Sequence, residues 1–377
     1  MSPNELIKQA LLCFNQHQLE RGTQLIKQAA DLGDAAAVLY YGDLLFKENK
    51  SAAYTYFEKQ FHLGVPGTLH RKALLQFFFD RQKRSAALTD VFSDLQHEVA
   101  RGDLQSVFAL MTLVSEPKHL QYYQHMLHKL LPELARELFL DIDYATVNTQ
   151  KPTYKALLAD FLATTAKYEE FELVHLSSEI DLTLAKNALS ALECQYIKLR
   201  FTSLLKPSMI VDPKTGVAAQ NSYRTGSMVA LNPEYLDWIL LGIEWKMSAF
   251  AKFPREHGEV TNLIHYDSQQ RYLPHYDAFV GDKITMQTLL QNGGQRSITV
   301  LCYLNSVSSG GETEFPNLGV KVIPRQGDML MFRNIDANDH VLTGSYHAGL
   351  PVISGAKWVL SKWARQAVSD YGRVVYC

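Results

Sequence analysis

The sequence of 377 residues has few cysteines, almost no net charge and no long apolar run. Its four cysteines, Cys13, Cys194, Cys302 and Cys377, show no paired spacing, which argues against a disulfide framework or a thiolate zinc site and favours a reducing compartment. The 37 basic and 39 acidic residues nearly cancel, so bulk electrostatics indicates neither a nucleic-acid nor an anionic membrane partner. No apolar run reaches the roughly 18 residues that a bilayer-spanning helix needs.

The amino-terminal stretch has no signal-peptide pattern. It predicts the start of a helix instead, with Ser2 as the N-cap residue, Pro3 at the first helical position and Glu5 closing a capping box. Together with the unpaired cysteines, this pattern leads us to expect a cytoplasmic protein.

Residues 1–170 predict a helical repeat domain. Apolar residues recur there at three- and four-residue spacing, and alanine is common. Three similar stretches each carry a glycine, Gly33, Gly64 or Gly102, where one helix ends and the next begins. A period of roughly 34 residues is typical of stacked helical pairs of tetratricopeptide type. The repeat consensus is incomplete, so an irregular helical bundle is the alternative.

Residues 171–377 predict a β-rich domain with flanking helices. Helices are expected at 192–205 and 232–250, and short apolar runs broken by turns predict strands at 296–305, 319–324, 327–332 and 355–364. Many short strands of this kind favour a sandwich or a double-sheet jelly roll. The expected fold class is therefore α+β multidomain, a helical repeat domain followed by a jelly-roll domain, also called a double-stranded β-helix.

The β-rich part contains the tripeptide HYD twice, at His265–Asp267 and at His275–Asp277. Residues two apart on a strand point to one face, so a His and an Asp in this spacing can bind one metal ion together. The chain has 13 histidines, and chance matches are expected, because a single histidine is usually a surface or hydrogen-bonded core residue. The residues alone leave both tripeptides open.

A distant histidine could complete such a site, with His347 or His340 as candidates. Two histidines and one carboxylate leave three open positions on an octahedral ferrous ion, enough for a bidentate 2-oxo acid and dioxygen. The second carboxylate of such an acid needs a cation. Lys357 lies ten residues after His347, across what the stretch HAGLPVISGAKW predicts to be one turn between two strands. An exposed lysine at a strand end is the alternative.

From about residue 188 to residue 365 the chain resembles the prolyl 4-hydroxylase branch of the Fe(II)/2-oxoglutarate dioxygenases. The matching stretches occur in the family's order and spacing: ALSALECQYI, LLKPSMIVDPKTGVAAQNSYRTGSMVAL, YDSQQRYLPHYDAF, GGQRSITVLCYLNSVSSGGETEFPNLGVKVIPRQGDMLMF and HAGLPVISGAKWVLSKWAR. The helical repeats lie outside this resemblance.

The resemblance implies three iron ligands, His275, Asp277 and His347. In the family the first histidine follows one tyrosine by three residues and another by nine, as His275 follows Tyr272 and Tyr266. The resemblance thereby excludes three other candidates: His265, Asp267 and His340.

Further roles are implied position by position. Lys357 matches the lysine that binds the far carboxylate of 2-oxoglutarate, and Tyr303 matches a tyrosine that donates a hydrogen bond to it. Thr299 shares a strand face with Tyr303 and is a candidate for cosubstrate binding. The remaining matches are aromatic, with Tyr266 near the cosubstrate and Tyr272 and Trp363 on the peptide side of the pocket. For Tyr272 and Trp363, core packing is an equal alternative.

Two positions depart from the family pattern. YDSQQRY lacks the glycine that is usual in that loop, and SYRTGS has Gly226 where serine is usual. Both departures are expected to affect the loops over the substrate, and neither touches the implied metal ligands.

The implied reaction couples decarboxylation of 2-oxoglutarate to succinate with hydroxylation of a prolyl residue in a protein or peptide. Its implied cofactors are Fe(II), 2-oxoglutarate and dioxygen, with ascorbate as a further candidate. The helical repeats are candidates for recruiting the protein substrate or for pairing two subunits in a homodimer. Two alternatives stay open, a dioxygenase of small molecules and an inactive helical adaptor, although the complete metal set argues against the second.

Overall fold

The computed structural model describes residues 1–16, 18–79, 84–139, 142–144, 146–164, 171–211, 218–220, 223–281 and 283–377. The chain divides into two compact units, Met1–Thr165 and Ala166–Cys377. The boundary expected at residue 170 falls within 165–170, outside the described residues. Within the described ranges, no helix is both long enough and apolar enough to cross a membrane.

The first unit is built from helices. In chain order they are α1 (Pro3–Asn15), α2 (Leu19–Asp31), α3 (Ala35–Glu48), α4 (Lys50–His62), α5 (Thr68–Phe79), α6 (Arg84–Ala100), α7 (Leu104–Leu113), α8 (Pro117–Leu130), α9 (Pro132–Leu138) and α10 (Tyr154–Thr164). Helix α1 begins with the predicted capping box, in which the Ser2 hydroxyl accepts the Glu5 N–H and the Glu5 carboxylate accepts the Ser2 N–H.

Three glycines of the helical region lie where the sequence predicts helix ends. Gly33, Gly64 and Gly102 follow α2, α4 and α6 with φ of 86°, 82° and 85°. A left-handed residue at this position ends a helix at little cost only if it lacks a Cβ atom. The next helices α3 and α7 are capped by Asp34 and Asp103, whose carboxylates accept backbone N–H groups. Gly33 and Gly102 thus each join two consecutive helices by a tight turn.

The second unit is built mainly from antiparallel strands. In chain order they are β1 (Glu172–Ser177), β2 (Leu182–Lys186), β3 (Lys206–Pro207), β4 (Met209–Val211), β5 (Ala218–Gln220), β6 (Ser227–Leu231), β7 (Thr261–Tyr266), β8 (Tyr272–His275), β9 (Arg296–Tyr303), β10 (Ser309–Gly310), β11 (Thr313–Phe315), β12 (Val320–Val322), β13 (Met329–Arg333), β14 (His347–Gly349), β15 (Val352–Ser354) and β16 (Lys357–Arg365). Its helices are α11 (Ala191–Phe201), α12 (Trp238–Ala251), α13 (Lys283–Leu290) and α14 (Asp370–Tyr376).

Two sheets form the jelly roll. The larger sheet has the strand order β1-β2-β13-β9-β16-β7-β6-β3, and the smaller one has the order β12-β11-β14-β8. A core cluster joins residues of both sheets, among them Tyr266, Tyr303, Phe315, Phe332 and Val359. Burial of one such large side chain contributes roughly 1.5–3 kcal/mol to stability. The predicted fold class is therefore confirmed.

Two local predictions need correction. The helix expected at 232–250 begins at Trp238, because Asp237 caps its amino-terminal end and Pro233–Tyr235 forms a separate 3-10 turn. The stretch from His347 to Trp358 is not one hairpin, because strand β15 lies within it and pairs with β10. Strand β14 belongs to the smaller sheet and β16 to the larger one, so this stretch carries the chain from one sheet to the other.

Candidate active site

Three potential metal ligands meet at the inner edge of the smaller sheet. His275 ends β8 and lies directly opposite His347, the first residue of β14, and Asp277 follows two residues later. Their ligand atoms all lie within 4.8 Å of one another. The Nε2 atom of His275 is 3.6 Å from Asp277 Oδ1, and that of His347 is 3.5 Å from Asp277 Oδ2. Two imidazoles and one carboxylate therefore converge on one point.

The backbone fixes which nitrogen of each histidine faces this point. His275 Nδ1 lies 2.8 Å from the carbonyl oxygen of Leu273, and His347 Nδ1 lies 2.9 Å from that of Ser345. A carbonyl oxygen only accepts hydrogen bonds, so each Nδ1 carries the proton and donates it. Each Nε2 then keeps a free lone pair, the usual arrangement of a metal-bound histidine.

The charges of the group also suit a divalent cation. Burial alone would raise the pKa of Asp277, but His347 and His275 hold it well below its usual range. Burial, together with the neighbouring His275, lowers the pKa of His347 to about 4. At neutral pH the group offers one ionised carboxylate and a neutral His347 imidazole, the protonation states that metal binding requires. This donor set fits Fe(II) with open positions.

Lys357 lies in the interior between the sheets and is only 4% exposed. Its Nζ atom is 3.4 Å from Thr313 Oγ1, to which the hydroxyl of Tyr303 also donates a hydrogen bond of 2.8 Å. Burial lowers the pKa of Lys357 to about 7, opposed by the negative charge of Glu312. A buried ammonium beside two hydroxyl groups has the chemistry to bind an anion, and these residues are called the anion pocket below.

Two of the three predicted aromatic residues neighbour Lys357 and the potential metal ligands. Tyr266 pairs with Lys357 across β7 and β16, and Tyr272 stacks on His275 with ring centroids 3.6 Å apart. Trp363 lies on β16 opposite Thr299, and the guanidinium of Arg296 is 3.7 Å from the centre of its ring. Tyr266 and Tyr272 thus lie next to the anion pocket and the metal ligands, respectively.

Thr299 contacts one of the three potential metal ligands. Its hydroxyl donates a 2.7 Å hydrogen bond to Asp277 Oδ2 and accepts one from the side-chain amide of Asn334. The contact that the structure gives this residue is therefore with the Asp277 carboxylate.

The residues that the resemblance excludes lie outside the group. The ring of His265 packs on Trp358, with centroids 4.1 Å apart, and Asp267 is largely exposed. His340 is on the surface beside Asp336. His265 and His340 therefore do not belong to the group formed by His275, Asp277 and His347.

Sequence reasoning missed Thr313 and Arg224. Thr313 lies in a stretch, GGETEFP, that resembles the family but has no residue among the predicted site residues, yet its hydroxyl contacts both Tyr303 and Lys357. Arg224 is buried, with its guanidinium 5.0 Å from the centre of the Tyr272 ring. It precedes the departure at Gly226 by two residues, a signal that could have drawn attention to it.

Each departure from the family pattern has a geometric counterpart. Within the loop that lacks the family's usual glycine, Gln269 has a φ of 68°, a conformation that glycine adopts without strain. A Cβ atom on Gly226 would approach the His265 carbonyl oxygen to 2.6 Å and the Tyr266 ring to 2.7 Å. The absence of a side chain at Gly226 therefore allows Tyr266 its position beside Lys357.

The fold and this group of residues define a class of protein. Two histidines and a carboxylate with open metal positions, held by a jelly roll beside a buried lysine, are the arrangement of a non-haem iron oxygenase. Residues 261–365 match the model of the 2OG-Fe(II) oxygenase superfamily.

Among solved structures, the viral collagen prolyl hydroxylase of Paramecium Bursaria Chlorella virus-1 with 2-oxoglutarate aligns at 24% identity and a TM-score of 0.39. The alignment covers 48% of this chain and 94% of that chain. A prolyl-4-hydroxylase of Pseudomonas putida aligns at 17% identity and a TM-score of 0.35, covering 49% and 92%.

Curated relatives are more similar in sequence. The Arabidopsis thaliana protein named probable prolyl 4-hydroxylase 6 is 36% identical over 209 residues, which are 50% of this chain and 70% of the relative. Prolyl 4-hydroxylase 1 of the same plant is 35% identical over 196 residues, 48% of this chain and 68% of the relative. The chain belongs to the prolyl 4-hydroxylase family of 2OG-Fe(II) oxygenases, which depend on Fe(II), 2-oxoglutarate and dioxygen.

Proposed function

We propose that this dioxygenase hydroxylates a prolyl residue of a protein or peptide, with His275, Asp277 and His347 as the ligands of Fe(II). The observation that carries this proposal is the convergence of the three ligand atoms within 4.8 Å of one another. Bound Fe(II) would supply the oxidative chemistry. In it, dioxygen, 2-oxoglutarate and the prolyl substrate yield succinate, carbon dioxide and the hydroxylated prolyl residue.

The chain's own residues bind and orient the cosubstrate. Lys357 pairs with the far carboxylate of 2-oxoglutarate, and the Tyr303 hydroxyl donates to the same carboxylate. Burial raises the pKa of Tyr303, so its hydroxyl keeps its proton at neutral pH and acts as a donor. Tyr266, opposite Lys357, closes the pocket on one side and excludes water. Thr299 acts on the Asp277 carboxylate.

The substrate side lies around Tyr272 and Trp363. Tyr272 covers one face of the His275 ring, and a prolyl ring packed against these aromatic surfaces would lie next to the metal ligands. The relatives named prolyl 4-hydroxylases support this substrate class.

The helical unit has a separate role in this proposal. Helix pairs joined at Gly33 and Gly102 are suited to tetratricopeptide-like stacking, which creates concave surfaces for protein partners. Residues 1–170 thus recruit the protein substrate or pair two subunits. The buried free thiols of Cys13, Cys194 and Cys302 support action in the reducing cytoplasm, where ascorbate keeps the iron reduced.

A direct experiment combines turnover with peptide mass spectrometry. The protein is incubated with Fe(II), 2-oxoglutarate, dioxygen and a library of proline-containing peptides, and succinate and one-oxygen mass gains on proline are measured. We expect both products from the wild type and from His265→Ala, and neither from His347→Ala. Prolyl hydroxylation that persists in His347→Ala would refute the ligand assignment. Mass gains confined to residues other than proline would refute the substrate class.

A further inference from the structure

The Asp277 carboxylate is the end of a chain of three buried polar side chains. Its Oδ2 atom accepts a hydrogen bond of 2.7 Å from the Thr299 hydroxyl, and the Asn334 amide nitrogen lies 2.9 Å from the same hydroxyl. Thr299 is on β9, the strand next to β13, and Asn334 directly follows β13. Two neighbouring strands of the larger sheet therefore reach a ligand that lies beside the smaller sheet.

The direction of these hydrogen bonds follows from the number of protons. The ionised carboxylate only accepts, so the single hydroxyl proton of Thr299 is donated to Asp277. The group that faces the Thr299 oxygen must then be a donor, and this requirement orients the Asn334 amide with its nitrogen towards Thr299. An acceptor in this place would compete with Asp277 for the same proton.

The backbone holds Asn334 firmly in place. Its N–H donates to the carbonyl oxygen of Ser297, and its carbonyl oxygen accepts from the N–H of Leu342, both at 2.9 Å. Thr299 and Asn334 are both 0% exposed. The side-chain oxygen of Asn334 is buried without a hydrogen-bond partner among the described residues, and such an atom reduces stability. An amide at this position thus costs stability, which points to a role other than packing.

We propose that Asn334 is a positioning residue, which acts through Thr299 to hold the Asp277 carboxylate in its metal-binding orientation. The two histidines are oriented by backbone carbonyl groups, whereas the carboxylate depends on these two side chains. Outer partners of metal ligands typically contribute about 10- to 100-fold to metal affinity or activity. This inference rests on the proposed function, in that Asp277 must be a ligand.

The test is calorimetric titration of the metal-free full chain with Fe(II) under anaerobic conditions. We expect Asn334→Leu and Thr299→Val to weaken Fe(II) binding by about tenfold or more. Thr299→Ser keeps the hydroxyl group and should bind Fe(II) like the wild type. Asn334→Asp keeps the shape but replaces the donor with an acceptor, so it is expected to weaken binding as well. It also provides a second variant if Asn334→Leu does not fold. Asn262→Leu is the matched control, because Asn262 is a buried asparagine of the same sheet without a contact to Asp277.

A double-mutant cycle distinguishes an action of Asn334 through Thr299 from a general effect on the structure. If Asn334 acts only through Thr299, Asn334→Leu should have no further effect on Fe(II) affinity in the Thr299→Val background. An undiminished effect in that background, or Asn334 variants that bind Fe(II) like the wild type, would overturn the inference. Failure of the proposed function has a different signature, since Asp277→Ala would then bind Fe(II) as the wild type does.

Discussion

The Lys357 ammonium lies 5.5 Å from the centre of the Tyr303 ring, and both side chains reach the hydroxyl of Thr313. Lys357 comes from β16, Tyr303 from β9 and Thr313 from β11, so the pocket joins both sheets. A cation and a phenolic hydroxyl at this spacing can bind the two oxygens of one carboxylate together. This relationship leads to the first two predictions.

Loss of the lysine should weaken cosubstrate binding without loss of the metal. A hydrogen bond to a charged group contributes roughly 1.5–3 kcal/mol, and about 1.4 kcal/mol corresponds to a factor of ten. We expect Lys357→Ala to weaken 2-oxoglutarate binding by at least about tenfold, while Fe(II) binding survives. Lys357→Arg should restore binding only in part, because a planar guanidinium does not fit where an ammonium did. Cosubstrate titration of the iron-loaded variants measures this.

The alternative cations provide the control for Lys357. Arg296 is held by two hydrogen bonds to Glu259, at 2.8 and 2.9 Å, and Arg325 is exposed. We expect Arg325→Ala to bind 2-oxoglutarate like the wild type. Unchanged affinity in Lys357→Ala would show that another cation binds the far carboxylate.

The affinity for 2-oxoglutarate should decrease as the pH rises above neutrality. The pKa of Lys357 is lowered to about 7 in the free protein, so the lysine takes up a proton when the anion binds at higher pH. We expect little change below pH 7 and a decrease of roughly tenfold per pH unit above it, until the pKa of the bound form is reached. Titrations between pH 6 and pH 9 measure this.

The same shift has a defined effect on stability. Between pH 7 and the usual lysine pKa of 10.5, the unfolded chain binds more protons than the folded one, so this residue makes the free energy of unfolding rise with pH. The Lys357→Arg variant stays charged over this pH range. Neither its affinity for 2-oxoglutarate nor its free energy of unfolding should therefore change with pH in this way. If the wild type and Lys357→Arg had the same pH profile, Lys357 would not be the titrating group.

Removal of the helical unit should separate chemistry from recruitment. We expect a truncated protein of residues 171–377 to decarboxylate 2-oxoglutarate without a peptide and to lose much of its affinity for its protein substrate. The reason is that every proposed ligand of the metal and the cosubstrate lies in the second unit. Succinate release and substrate pull-down measure the two properties. A truncated protein that folds but binds no iron would contradict this separation.

The loop between β7 and β8 should become more stable when glycine replaces Gln269. A left-handed backbone costs a non-glycine residue roughly 1–2 kcal/mol, and the larger freedom of glycine in the unfolded chain offsets about 0.4–1 kcal/mol of the gain. We expect Gln269→Gly to raise the free energy of unfolding by about 0.5–1 kcal/mol, measured by urea denaturation. Ser268→Gly is the control and should lower it, because Ser268 is not among the residues with positive φ. A lower stability of Gln269→Gly would show that its side chain makes a larger contribution than its backbone strain.

Local signals predicted most secondary structure in this chain. The capping box at Ser2 and the helix ends at Gly33 and Gly102 follow from residue types within one turn. The stretch between His347 and Lys357 was misread, because its Pro and Gly residues mark turns but carry no information about which sheet the next strand joins. That choice depends on pairing of β14 with β8 and of β16 with β7 and β9, which are distant in sequence.

The candidate site was predictable where a family motif names the residue. The convergence of His275, Asp277 and His347 was expected from the resemblance and is present in the structure, while metal binding itself stays a prediction. Thr313 and Asn334 were not predictable, because threonine and asparagine are common residues and their importance comes from side-chain contacts with residues distant in sequence.

The carbonyl groups that hold the two histidine rings have a consequence for mutational tolerance. Each ring is held by the main chain two residues earlier in its own segment, at Leu273 and Ser345, and every residue type at these positions would provide the same acceptor. Deep mutational scanning should therefore find Leu273 permissive, apart from substitutions that disturb packing or backbone shape. Substitutions at the residues that hold His275 and His347 should therefore be well tolerated. Substitutions at the two side chains that hold Asp277 should be the harmful ones.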